Sequence, residues 1–349
     1  GVVIENNVIS RGGQGGISFT GDANPVGQQA AAIPFGRIIN NTLVGNGSGT
    51  GVFVADNASP TLLNNIVADF TTGISAFHFN PEAQLNGEWH KLEPLLKDDY
   101  FALCAIDCAF WDLHAKQNNK TLRSFWDSDY TKTPLTNYTI GIDSIENMSK
   151  KIIEQPWPIY KIKLGTNHDI KIVSELRNVT KSTFRIDANC AWTVDETLKN
   201  AIELKKLGVE FIEQPLKADA WEDMKRLKTA CALPIIADES CQRFEDVQKC
   251  TETFHGINIK LMKCGGISPA LEMIKVARTN NLLIMAGCMT ESSIGISNLT
   301  QIAPLIDFID ADGAMLLKKD IANGVRFNYG EIIFSNKNGS GIKLLKNQH

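Results

Sequence analysis

The sequence predicts an α/β protein built around a barrel of seven strand–helix units and a final strand, (β/α)7β, with a β-rich segment in front of it. Three observations carry that expectation. Lys163, Asp187, Glu213, Asp238 and Lys260 recur at gaps of 24, 26, 25 and 22 residues, each gap the length of one strand and one helix. Eight short apolar runs alternate with helical patterns between residues 134 and 313. The first 77 residues differ in kind, being rich in Gly, Asn, Val and Ile and almost free of Lys and Glu.

Within residues 1–80 a pattern repeats: an Asn pair amid apolar residues, then a Gly-led strand. It reads Ile4-Glu5-Asn6-Asn7-Val8-Ile9 before Gly16-Ile17-Ser18-Phe19. It returns as Ile38-Ile39-Asn40-Asn41-Thr42-Leu43 before Gly51-Val52-Phe53-Val54, and as Leu62-Leu63-Asn64-Asn65-Ile66-Val67 before Gly73-Ile74-Ser75-Ala76. Spacings of 34 and 24 between the Asn pairs suit rungs of a solenoid, the first with an insertion around residues 22–34. The segment resembles a right-handed parallel β-helix, in which stacked Asn side chains ladder their amides from rung to rung. Asp22, Asp56 and Asp69 read as turn residues and form no carboxylate cluster.

From residue 82 the composition turns helical. Residues 100–117 carry Leu103, Ile106, Ala109, Phe110 and Leu113 at helical spacing, which puts Asp107, Asp112 and Lys116 on the opposite face. After Pro134 the strand-like runs are 135–142, 159–165, 183–189, 209–215, 233–239, 256–262, 282–288 and 307–313. Most are continuously apolar, as parallel strands buried on both faces should be. Seven helical patterns separate them. Two have clear start signals, Thr193 with Glu196 three residues on, and Ser268 followed by Pro269. No helix clearly follows the eighth strand. The expected organisation is β-helix-like repeats over 1–80, a helical segment over 81–133, a TIM-like barrel over 134–313, and a return segment over 314–349.

Bulk composition narrows the class of function. A chain of 349 residues that is 43% hydrophobic and 21% charged reads as a soluble globular protein. Its net charge of −4 argues against nucleic-acid or anionic-membrane partners. No apolar run approaches the roughly 20 residues needed to cross a bilayer. Eight cysteines without disulfide-framework spacing read as buried thiols in a reducing cytoplasm, and six histidines fall into no metal-ligand pattern. The opening Gly1 reads as a processed or truncated start. Self-association is left open.

The charged ladder carries the chemistry. Barrels of repeated strand–helix units gather their functional groups at the C-terminal ends of the strands. Asp187, Glu213 and Asp238 each end an apolar strand, where an isolated charge would be costly. Convergence on one hard, oxygen-seeking cation such as Mg2+ removes that cost. Lys161 and Lys163, two apart on one strand, project to the same side. At about 6.6 Å and an effective dielectric near 20 their repulsion is about 2.5 kcal/mol, so Lys161 should tune Lys163. Lys163 and Lys260 come from strands four apart in a ring of eight, hence opposite walls. Two amines so placed can take a proton from one face of a carbon and return one to the other.

These stretches together resemble the enolase superfamily, in its muconate-lactonising subgroup, and most of all the dipeptide epimerases. The matching residues are Lys161-Ile162-Lys163-Leu164-Gly165, 185–189, 212–216, 237–240, 258–266, Gly287-Cys288-Met289-Thr290-Glu291-Ser292-Ser293 and Asp310-Ala311-Asp312-Gly313. The resemblance implies an enolase-type barrel, Mg2+ held by Asp187, Glu213 and Asp238, and acid–base catalysis by Lys163 and Lys260 with Lys161 beside them. It implies that Asp310 and Asp312 grip the ammonium of a dipeptide of Ala-Glu type, with Asn189, Met289 and Glu291 lining the substrate site. The reaction implied is epimerisation by 1,1-proton transfer through an enediolate, in the chemistry of cell-wall peptides. Alternatives are a related cycloisomerase or o-succinylbenzoate-synthase-like enzyme, or an impaired fusion of a β-helix binding module with a barrel lacking its lid. Two departures stand out. Cys190 replaces a frequent Gln, and the β-helix-like segment stands where the family has its capping domain, of which only the helical part over 81–133 is kept.

Overall fold

The computed structural model describes residues 89–90, 92–126 and 133–345. Before them it describes 2–10, 15–20, 36–39, 41–48, 50–55, 61–63, 65–68 and 72–76. The chain divides into two compact units, Gly1–Ala83 and Gln84–His349.

In the first unit each repeat supplies three short strands: β1 (Val2–Glu5), β2 (Val8–Ser10) and β3 (Gly15–Thr20), then β4 (Gly36–Ile39), β5 (Thr42–Val44) and β6 (Thr50–Ala55), then β7 (Thr61–Leu63), β8 (Ile66–Ala68) and β9 (Thr72–Ala76). Corresponding strands pair in parallel as three sheets, β1-β4-β7, β2-β5-β8 and β3-β6-β9. Registers align like with like: Ile4 with Ile38 and Leu62, and Ile9 with Leu43 and Val67. Ile17, Ile38, Leu43 and Val52 form the buried core. The Asn ladder is present. Asn7 donates its backbone and side-chain N–H groups to Asn41 Oδ1 at 3.1 and 3.0 Å, and Asn41 does the same to Asn65 Oδ1 at 3.0 Å each. The predicted insertion over 22–34, and Asp22, Asp56 and Asp69, lie outside the described residues.

In the second unit a 3-10 turn (Glu93–Leu95) precedes helix α1 (Tyr100–Gln117), capped by Asp99, whose side chain accepts the Ala102 N–H. Of the expected buried face only Leu103 is buried. Leu103, Cys104, Asp107, Cys108, Trp111 and Ala115 are buried, while Leu113 and Phe101 are exposed. The helix is apolar almost all round, so spacing does not single out its inner side. Asp107, expected outside, accepts the Ser268 N–H at 2.9 Å and its hydroxyl at 2.6 Å. Burial raises its carboxyl to about 6, with Ser268 opposing the rise. Gly266 makes the approach feasible: a Cβ there would fall 2.3 Å from Asp107 Oδ2, and its φ is +128°. Asp107→Ala would leave two buried donors unpaired and should cost about 2–3 kcal/mol. Urea unfolding of the variant measures this, and a midpoint equal to the parent's would contradict the assigned role.

All eight predicted barrel strands are found, shorter at their ends than the apolar runs. They are β10 (Tyr138–Ile140), β11 (Ile159–Lys163), β12 (Thr183–Asp187), β13 (Val209–Glu213), β14 (Ile235–Ala237), β15 (Gly256–Ile259), β16 (Leu283–Gly287) and β17 (Phe308–Asp310). They pair in sequence order, every pair parallel. A parallel bridge between Thr136 and Ile309 joins the two ends of the sheet. The helices between them are α2 (Ile145–Glu154), α3 (Asp169–Val179), α4 (Val194–Lys206), α5 (Trp221–Ala230) and α6 (Phe244–Thr253). The sixth connection is split into α7 (Leu261–Cys264) and α8 (Ile267–Thr279), and α9 (Ser293–Gln301) is the last. Thr193 and Glu196 form the predicted capping box. Ser268 is not a cap. Gly266 holds that place, because the Ser268 hydroxyl is committed to Asp107. After β17 comes a 3-10 turn and two small antiparallel pairs, β18 (Ala322–Asn323) with β21 (Lys343–Leu344) and β19 (Arg326–Asn328) with β20 (Glu331–Ile333). Among the described residues no helix is long and apolar enough to cross a membrane.

Candidate active site

Strand register delivers the charged ladder to one place. Lys163 ends β11 in register with Asp187, and Asp187 ends β12 in register with Glu213, the last residue of β13. Asp238 and Lys260 directly follow β14 and β15, and Asp310 ends β17.

Lys161 is the hub. Its ammonium, almost fully buried, lies 3.0 Å from Asp187 Oδ2, 2.7 Å from Glu213 Oε2 and 2.9 Å from Asp310 Oδ2. Lys163 Nζ donates to Asp187 Oδ2 at 2.6 Å and to Asn189 Oδ1 at 3.1 Å. The two lysines share a side, as their spacing requires. Both touch one carboxylate oxygen, however, so their repulsion is offset by the charge between them. Lys260 Nζ donates to Asp238 Oδ2 at 2.8 Å, and Lys263 Nζ donates to Asp238 Oδ1 at 2.8 Å. Asp310 also accepts the Asn137 side-chain N–H at 2.7 Å, and Asp312 accepts the Thr139 backbone N–H at 2.5 Å. Glu291 accepts the Met289 N–H at 3.0 Å, so Met289 enters through its backbone.

Electrostatics sort these groups. Burial works against charge at Asp187, yet Lys161 and Lys163 outweigh it and hold the carboxyl below its usual range. Asp238 is lowered in the same way, with Lys260 and Lys263 overcoming burial. Asp310 is lowered too, as Lys161 overcomes burial. Glu213 goes the other way: burial, then the charge of Asp187, push it to about 7 against the pull of Lys161. Asp312 is likewise pushed to about 7, by burial and then by Asp310. Burial would lower Lys260, but Asp238 outweighs it and holds the ammonium above its ordinary value. Burial and then Glu239 push the Cys190 thiol to about 11, so it stays uncharged.

The donor set fits a hard cation. Asp187, Glu213 and Asp238 are all buried. Glu213 Oε2 sits 2.7 Å from Lys161 Nζ, near enough for charge pairing, but has no hydrogen-bond partner. A buried carboxylate oxygen with no hydrogen bond keeps lone-pair capacity that a bound cation can use. Among the described residues, the one set of His, Cys, Asp and Glu whose ligand atoms all come within 4.8 Å of one another is Cys288, Asp310 and Asp312. Asp187, Glu213 and Asp238 stand further apart, with Lys161 between the first two.

Several residues of the site escaped the sequence reading. Read as a continuing strand, 256–262 gave Lys263 no place beside Lys260. The chain instead turns into α7, where residues three apart share a face. The Gly265-Gly266 pair just beyond was the available signal. Asn258 donates to Glu213 Oε1 at 2.8 Å. Gln214, at φ 36°, accepts the backbone N–H groups of Asp238 and Ser240 at 3.0 and 3.1 Å and donates to Ser240 Oγ at 2.8 Å and to the Leu216 carbonyl at 2.9 Å. It thereby ties the end of β13 to the end of β14. Asn189 and Cys190 also have positive φ, 41° and 64°, so strained backbone clusters in the loops after β12 and β13.

The chain resembles known proteins over most of its length. The L-Ala-D/L-amino acid epimerase of Flavobacterium johnsoniae is 54% identical over 257 residues, covering 74% of this chain and 76% of that protein. The L-Ala-D/L-Glu epimerase of Bacteroides thetaiotaomicron is 34% identical over 279 residues, 79% of this chain and 73% of that one. Among solved structures, a dipeptide epimerase from Methylococcus capsulatus complexed with Mg ion superposes with a TM-score of 0.72 at 26% identity, covering 76% of this chain and 81% of that one. The family model described as Enolase C-terminal domain-like matches residues 144–348, more than half the chain. By sequence and by the architecture of its barrel, this chain belongs to the Enolase C-terminal domain-like family.

Proposed function

We propose that the protein is a Mg2+-dependent dipeptide epimerase, acting on substrates of Ala-Glu type by moving a proton between the two faces of the C-terminal residue's α-carbon. The observation that carries the reading is the placement of Lys163 and Lys260 at the ends of strands four apart in a ring of eight, each hydrogen-bonded to a buried carboxylate, at 2.6 and 2.8 Å. The names of its relatives support it, as does the Mg ion in the Methylococcus capsulatus epimerase.

Asp187, Glu213 and Asp238 would hold the Mg2+, which supplies positive charge where negative charge builds on the substrate carboxylate as its α-proton leaves. Lys163 and Lys260 give and take that proton, one on each face, and Lys161 keeps the neighbouring acids charge-balanced. Asp312 and Asp310 face the amino end of the substrate. Asp310 already pairs with Lys161, which leaves Asp312 the larger share of an incoming ammonium. Asn189, through its bond to Lys163, and Glu291, half-buried in the loop after β16, complete the lining with Met289. The division into a 1–80 module, an 81–133 helical remnant, the 134–313 barrel and a 314–349 return segment belongs to the same proposal. A reducing cytoplasm suits its eight free cysteines.

Incubation of the protein with Mg2+ and L-Ala-L-Glu in deuterated water should exchange the α-hydrogen of Glu and yield L-Ala-D-Glu, both read by proton NMR. Protein that holds Mg2+ yet leaves the α-hydrogens of Ala-Glu and of other L-Ala dipeptides untouched would refute the proposal.

A further inference from the structure

The three candidate ligands share a pattern. One oxygen of each is held by a donor outside the Lys161, Lys163 and Lys260 set. Asp187 Oδ1 accepts the Asn189 N–H at 3.1 Å, Glu213 Oε1 the Asn258 side-chain N–H at 2.8 Å, and Asp238 Oδ1 the Lys263 ammonium at 2.8 Å. The other oxygen of each faces an ammonium of that set: Asp187 Oδ2 at 2.6 Å from Lys163, Glu213 Oε2 at 2.7 Å from Lys161, and Asp238 Oδ2 at 2.8 Å from Lys260. Two of the three outer donors, Asn258 and Lys263, are side chains with no part in the proton transfer. Both are well placed for holding. Asn258 is fully buried on β15, and α7 turns Lys263 back toward the same carboxylate that Lys260 reaches. Room for the Asn258 amide comes from Gly287 on the next strand, where a Cβ would fall 2.5 Å from Asn258 Oδ1 and 2.7 Å from Nδ2.

We propose that Asn258 and Lys263 are positioning residues that make Glu213 and Asp238 offer one oxygen each, and that this frame selects a small dication over a larger one. The inference rests on the cation site proposed above. Mg2+ requires near-ideal octahedral geometry at about 2.0–2.1 Å, whereas Ca2+ accepts six to eight oxygens at about 2.3–2.6 Å and readily takes a carboxylate through both. A carboxylate with one oxygen tied to a buried donor cannot swing to offer both. Freeing it admits the larger ion and loosens the grip on the smaller.

The test is isothermal titration of the full chain with MgCl2 and with CaCl2, for the parent, Asn258→Ala and Lys263→Met. Each substitution should weaken Mg2+ binding by about 10- to 100-fold, the usual effect of removing a group that orients a ligand. Ca2+ binding should fall much less, so the Mg2+/Ca2+ preference drops by about tenfold. Lys263→Arg, which keeps a cationic donor, should restore most of the preference. Gly287→Ala displaces Asn258 without removing it and should reproduce the Asn258→Ala shift, which keeps the test intact if one variant does not fold. A preference equal to the parent's in the substituted proteins, whether both affinities hold or both fall together, overturns the inference alone. A parent that binds neither ion overturns the cation site itself.

Discussion

Replacing Lys260 with alanine should lower epimerisation by about 10³-fold, within the range expected for loss of one acid–base group. It should also make the surviving chemistry one-sided. Lys163 ends β11 and Lys260 directly follows β15, four strands apart in the ring. Each therefore reaches one face of the substrate carbon, and Lys163 alone still serves the stereoisomer whose hydrogen points at it. With L-Ala-L-Glu and L-Ala-D-Glu supplied separately in deuterated water, one should exchange its α-hydrogen and the other should not. Lys163→Ala should reverse the pair. In Lys260→Ala the local fold is kept because Lys263 still holds Asp238 Oδ1 at 2.8 Å. Equal exchange from both stereoisomers, or equal loss from both, would exclude the two-lysine arrangement.

Glu213→Gln should separate stability from function. Burial, reinforced by Asp187, raises the Glu213 carboxyl from 4.5 to about 7. A carboxyl raised in the folded state binds its proton more tightly there than in the unfolded chain. Its contribution to stability is therefore full below 4.5, declines as pH rises, and is lost above about 7. A neutral Gln escapes that loss. With EDTA present, the variant should melt at about the parent's temperature at pH 4 and several degrees above it at pH 8, a shift of the size a few kcal/mol produces. Activity should move oppositely, because the substitution removes a ligand of the proposed cation, and Mg2+ should no longer raise the melting temperature. Parallel melting curves at the two pH values would show that the burial of Glu213 carries no such cost.

Much of the barrel is legible in the chain because its signals are local. A strand buried on both faces must be continuously apolar, so each of the eight runs marks itself, and the charged residue that ends a run marks the functional end. Strand ends were read too long where loop residues follow the apolar run directly, as at 233–239, where Ile235–Ala237 form the strand and Asp238 and Glu239 already belong to the loop. The Asn pairs of the first unit were legible for a similar reason. A ladder of amides needs the same residue at the same place in every rung, and Asn7, Asn41 and Asn65 meet that need.

Helix α1 shows where such reading fails. Apolar on nearly all sides, it gives no periodic clue to its inner face, and its one buried acid depends on a serine 161 residues away. Lys263 and Asn258 escaped for the same kind of reason. What each does is set by a partner on another strand.

The sequence by itself determined the order of strands and helices, the functional end of the barrel, and the identity of the acids and amines gathered there. Each of these follows from patterns a few residues long. The tertiary structure alone decided which oxygen meets which ammonium. It set Lys161 among three acids at once, tied one oxygen of each candidate ligand to an outer donor, and left Glu213 Oε2 without a hydrogen bond. Coulomb and hydrogen-bond energies vary steeply over fractions of an ångström, and those distances are fixed only when the ring of strands closes.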